Sequence, residues 1–90
     1  MKSEFDEFFK SIGDPTRIAI LKVLKKGEMC VTDICKNFKM KQPSISHHLN
    51  ILKKAGILKS RKEGKEVYYR IDCCCIADCC KEFSEEFSPE

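Results

Sequence analysis

Residues 32–56 read TDICKNFKMKQPSISHHLNILKKAG. Two apolar patterns of helical period stand either side of a short break. Ile34, Cys35 and Phe38 share the inner side of a first helix, with Thr32 as its expected N-cap and Phe38 near its end. Lys39 to Gln42 form the turn. Pro43 opens a second helix reaching about Ala55; Ile45, Leu49 and Leu52 recur along it, and Gly56 closes it. Two short helices joined by about four residues have the dimensions of a helix-turn-helix.

Upstream, Phe5, Phe8, Phe9 and Ile12 form the aromatic stripe of a short amphipathic helix ended by Gly13. Asp14 then caps a helix with Pro15 in its first turn and an apolar face of Ile18, Leu21 and Leu24, widened by Ile20 and Val23. Lys25-Lys26-Gly27 is its stop signal. Downstream the period changes. Residues 57–63 and 66–71 read as two strands around a Gly64-Lys65 turn, with Val67, Tyr69 and Ile71 on one buried face. The last segment is helical again. Cys73, Ile76, Cys80, Phe83 and Phe87 form a seam for a partner helix, and Cys80 is expected to fill it as packing. The order is mainly α with a β-hairpin wing, a winged helix-turn-helix.

The chain has 90 residues, 42% of them hydrophobic, so one small domain over residues 1–90 is expected, with a core thin enough to favour dimerisation. The longest stretch free of Asp, Glu, Lys and Arg is Gln42 to Leu52, too short to span a membrane. Glu4, Asp6 and Glu7 with no apolar run argue against a secretory signal, and a cytoplasmic location is expected. The net charge of +3 conceals an asymmetry. Residues 13–71 hold fourteen Lys or Arg against five acids, whereas residues 72–90 hold one Lys against six. A basic centre between acidic ends suggests a face for a polyanion, though a solvated Lys-rich surface has the same composition.

Seven cysteines, odd in number and partly adjacent, do not read as a disulfide framework. No pair has CxxC spacing, which removes the thioredoxin-type motif and the usual zinc ribbon. The only histidines are the adjacent His47 and His48, so no nucleophile–base constellation supports an enzyme.

Gly13-Asp14-Pro15-Thr16-Arg17, the run from Gln42 to Leu49, Lys54-Ala55-Gly56-Ile57-Leu58, and Gly64-Lys65 with Tyr68-Tyr69-Arg70-Ile71 together resemble the ArsR/SmtB family. These motifs cover residues 13–71. The resemblance implies a homodimeric winged-helix repressor that leaves its DNA operator on binding a metal or metalloid ion. Residues 1–12 and 72–90 would then supply the dimerisation helices.

In a helix-turn-helix the second helix faces base edges with its N-terminal residues. Here those are Gln42, Ser44, Ser46 and His47, residue types able to bond base edges. His48 turns toward the core and reads better as structural. Lys41, Lys53, Lys54, Arg61, Lys62 and Lys65 are expected to neutralise phosphates, with Arg61 and Lys65 flanking the wing tip. Some of these cations will simply be solvated.

The resemblance also implies an effector site at the third helix, where the family pattern is Glu-Leu-Cys-Val-Cys-Asp-Leu-Cys. The run from Glu28 to Cys35 keeps the outer cysteines, Cys30 and Cys35, and has Thr32 in place of the middle one. Two thiolates therefore stand where trivalent arsenic favours three, and Cys35 also suits plain packing. Other family members sense metals through the last helix, and Asp72-Cys73-Cys74 stands at a comparable point. Cys75 and Cys79 lie one turn apart there, with Glu82 next on the stripe. Cys30, Cys35, Cys73, Cys74, Cys75 and Cys79 are thus the candidate ligands of a thiophilic ion such as arsenite, cadmium, lead or zinc. Cysteine oxidation is the rival switch on the same fold.

Overall fold

The computed structural model describes residues 4–87. Helix α1 spans Glu4–Ser11 and α2 spans Pro15–Leu24. The Asp14 carboxylate caps α2, accepting the N–H of Thr16 at 2.8 Å and of Arg17 at 3.3 Å. Burial pushes the Asp14 carboxyl up, but these two backbone bonds outweigh it and hold it below its ordinary value. Helix α2 packs against α3, α4 and the sheet, so its apolar arc is wide. Ile20 and Leu24 are buried, and Ile18, Leu21 and Val23 half-buried. Ile20 rather than Ile18 therefore centres the face.

Strand β1, Met29–Cys30, has no counterpart in the sequence expectations. It pairs antiparallel with β3, Glu66–Ile71, through Met29 with Tyr69 and Cys30 with Tyr68. Strand β2, Leu58–Glu63, flanks β3 on its other side, giving the order β1-β3-β2. The hairpin turns through Gly64 and Lys65, with Gly64 at φ +61°. Pairing of β1 keeps the chain extended up to Cys30, so helix α3 starts at once and covers Val31–Cys35. This corrects two expectations. Cys30, not Thr32, holds the N-cap position, and it makes no side-chain cap bond. The helix also stops short of Phe38, because the N–H groups of Asn37 and Phe38 bond carbonyls only three residues back, at Ile34 and Cys35.

Helix α4 spans Gln42–Lys54. Gly56, at φ +83°, donates to the Lys53 carbonyl at 2.9 Å, and Ile57 donates to the Leu52 carbonyl at 3.0 Å. These are the two bonds of a Schellman ending. Because the Ile57 amide is spent there, β2 begins one residue later than expected. Helix α5, Cys73–Phe87, is capped by the Asp72 carboxylate, which accepts the N–H of Cys74 and Cys75 at 3.1 and 3.3 Å. The Asp72 amide bonds the Ile57 carbonyl at 2.8 Å, anchoring α5 beside the end of α4.

Ile34, Ile45, Leu49, Leu52 and Ile57 are fully buried, and with Ile20 and Leu58 they form the centre of the core. Helix α1 packs against α4 and α5. The result is a winged helix-turn-helix, mainly helical with a β-hairpin. On α5, Cys79 is buried in the core with Cys75 and Ile76 packed beside it, whereas Cys73 and Cys80 are exposed. Within the chain, then, Cys79 packs into the core and Cys80 does not. The side chains of Phe5, Phe83 and Phe87, expected in the aromatic stripe and the seam, lie outside the described residues.

Candidate DNA-reading surface and cysteine sites

Burying Ile45, Leu49 and Leu52 fixes the rotation of α4. Gln42, Ser44 and His47 are then exposed, and Ser46 is half-buried at the margin. Asn50, one turn beyond His47, is exposed as well, and its i+3 spacing in the sequence puts it on the same face. His48 points the other way. Its Nδ1 accepts from Arg17 Nε at 3.1 Å, and the same guanidinium donates to the Ser11 carbonyl at 3.3 Å and the Lys10 carbonyl at 3.5 Å. His48 therefore locks α4 to the α1–α2 junction, whereas His47 is exposed.

Lys41, Lys53, Lys54, Lys62 and Lys65 are exposed around this surface. Arg61 is exposed too, but it is engaged. Its Nε donates to both Glu28 carboxylate oxygens at 3.0 and 3.1 Å, and Nη2 donates to one of them at 2.8 Å. Nη1 bonds Glu63, and the guanidinium lies 4.6 Å from the centre of the Tyr68 ring. The hydrogen bonds from Arg61 hold the Glu28 carboxyl below its usual value against the opposing effect of burial, with the charges of Arg61 and Arg70 adding to it. Those same carboxylates raise the Arg61 pKa.

The cysteines fall into two regions. Cys30 is buried yet lies outside the core cluster, whereas Cys35 packs at the core margin. Burial pushes the Cys35 thiol up from its ordinary value. In the second region a cavity of about 290 Å³ opens between the end of α4 and α5. Ala55, Gly56, Asp72, Cys74, Cys75, Asp78, Cys79 and Glu82 line it. The Cys75 thiol is 3.9 Å from the Ala55 carbonyl oxygen, and a Cβ on Gly56 would meet Cys75 Sγ at 3.3 Å. Among the described residues no three His, Cys, Asp or Glu side chains stand together as a formed ion site. The donor chemistry, soft thiols with carboxylates, nonetheless suits a thiophilic cation.

The model of the arsR family of bacterial regulatory proteins matches residues 14–60. The chain belongs to that family. It is a transcriptional regulator rather than an enzyme. An uncharacterised HTH-type transcriptional regulator of Methanocaldococcus jannaschii is 60% identical over 68 residues, covering 73% of this chain and 76% of that one. The arsenical resistance operon repressor of Escherichia coli is 44% identical over 66 residues, covering 72% of this chain but 56% of its own. A solved homodimeric winged helix-turn-helix DNA-binding domain from Mycobacterium bovis superposes with a TM-score of 0.76 at 26% identity, covering 96% of this chain and 82% of that one. The arsR match takes in α2, α3, α4 and only the first residues of β2. No helix among the described residues is long and apolar enough to cross a membrane.

Proposed function

We propose that this arsR-family chain is a homodimeric, cytoplasmic, operator-binding repressor, one domain over residues 1–90, released when its cysteines capture a thiophilic metal or metalloid ion such as arsenite. The observation that carries the reading is the position of the thiol-lined cavity. Its wall is the backbone of Ala55 and Gly56, which terminates the reading helix α4. Drawing Cys75 and Cys79 onto a guest there would move the end of that helix, so the effector acts on the element that reads DNA. Cys74 lines the same cavity, Cys73 stands exposed beside it, and Cys30 and Cys35 offer a second pair near α3.

DNA reading falls to Gln42, Ser44, Ser46 and His47, with Lys41 and Lys65 on phosphates. The packing of α1 beside α5 supports dimerisation through the first and last helices, as does the name of the M. bovis neighbour. The name of the E. coli relative supports a metalloid effector. Ion and operator must oppose each other reciprocally; a 10- to 100-fold effect needs about 1.4–2.7 kcal/mol of coupling. The second reading, an oxidative switch, is favoured by the exposure of Cys73, Cys74 and Cys80, all free thiols. A mobility-shift assay on the DNA upstream of its own coding sequence, run against arsenite, cadmium, lead, zinc and mild peroxide, separates the two. Release by an ion under reducing conditions supports ion sensing; release by peroxide alone favours oxidation.

A further inference from the structure

Arg61 reads from sequence as a phosphate-gripping cation at the wing, yet its Nε, Nη1 and Nη2 each already face a carboxylate. A guanidinium grips a phosphate through a two-pronged edge. The Nε–Nη2 edge of Arg61 faces the Glu28 carboxylate, and Nη1 is bonded to Glu63. One positive charge thus sits between two carboxylates that would themselves repel a phosphate. The pairing also spans the fold. Glu28 immediately precedes β1, which leads into α3, whereas Arg61 lies mid-way along β2. Across the sheet, Cys30 is in register with Tyr68, and Tyr68 with Arg61. The guanidinium over the Tyr68 ring therefore closes a row running from β1 through β3 to β2.

We propose that Arg61 and Glu28 are positioning residues for DNA binding. Together they clamp the wing to the segment that leads into the helix-turn-helix, so that wing and reading helix meet the duplex at one fixed spacing. The inference rests on the DNA-binding reading above and assigns Arg61 a role other than phosphate contact. Glu63 braces the same guanidinium, and the Tyr68 ring supports it from one side. Because the pair is half exposed, it adds little to folding stability, and its loss is read in DNA affinity rather than in the unfolding midpoint.

The test is a charge swap, read by titrating protein into a duplex from upstream of its own coding sequence at several salt concentrations. Arg61→Glu and Glu28→Arg change the net charge in opposite directions, yet a clamp requires each to weaken binding, by about tenfold. The double variant restores the net charge and the pairing of positions 28 and 61, though not the Glu63 and Tyr68 contacts, and should bind more tightly than either single variant. The proposal is overturned if Glu28→Arg tightens binding while the double variant stays as weak as Arg61→Glu. That pattern would make Arg61 a phosphate contact, and its loss would lower the salt slope by about 0.9. Should a charge reversal prevent folding, Glu28→Gln serves instead: weaker binding supports the clamp and tighter binding refutes it. A wild-type chain that ignores the duplex even at low salt refutes the DNA-binding reading itself, and the clamp's role with it.

Discussion

His47 and His48 are neighbours that face different sides of α4. The bond from Arg17 fixes His48 on the inner side, and His47 faces outward with Ser44 and Gln42. Replacing Ser46 and His47 together by Ala should leave the fold and the salt-dependent, non-specific affinity intact while reducing preference for the operator by about tenfold or more. Competition between operator and unrelated duplex measures this. The split was legible because a 3.6-residue period separates adjacent side chains on α4 by about 100°. The partner of His48 was not, since it lies 31 residues away and no local pattern encodes that reach. At Asp14 the cap was legible as Asp-Pro before an apolar helix. Its folded pKa is depressed, so its contribution is present above the unfolded value of 3.8 and disappears as pH falls through the lower folded value. Asp14→Asn keeps a capping oxygen and should flatten that acid-side loss in a stability-versus-pH titration.

The longer elements were legible with their limits, whereas the shortest, β1, was missed and the expected limits of α3 were displaced. α4 carried a proline start, three apolar positions at helical spacing and a glycine stop, and its limits fall within a residue of expectation. β1 has only two residues, too few to show a period, and it exists because β3 offers it an edge. Its pairing in turn sets where α3 begins, which is why Thr32 misled as a cap. In the last helix, cysteines at adjacent positions fit more than one apolar stripe. Packing decides instead, burying Cys79 and exposing Cys80. A Cys79→Ser substitution should therefore destabilise the fold by about 1–3 kcal/mol, having placed a hydroxyl in the core. Cys80→Ser should stay within about 0.5 kcal/mol of wild type. Chemical denaturation of the two variants side by side checks the contrast; equal effects would place the buried face of α5 elsewhere.

Across the molecule, the core that unites α2, α3, α4 and the sheet leaves one face of α4 exposed, and the thiol-lined cavity lies at that helix's end. The apolar spacing of Ile45, Leu49 and Leu52 foretold which face is exposed. The cavity was foretold only as a density of cysteines, because its walls come from two segments separated by a hairpin. Whether that cavity communicates with the DNA-reading face is the central question. The most direct measurement is the anisotropy of a labelled upstream duplex bound to the reduced protein, titrated with arsenite, for wild type and for Cys75→Ser. The account predicts a 10- to 100-fold loss of affinity in the wild type, about 1.4–2.7 kcal/mol, that is largely absent in the variant. A wild-type complex with unchanged affinity at saturating arsenite, cadmium, lead and zinc would contradict it.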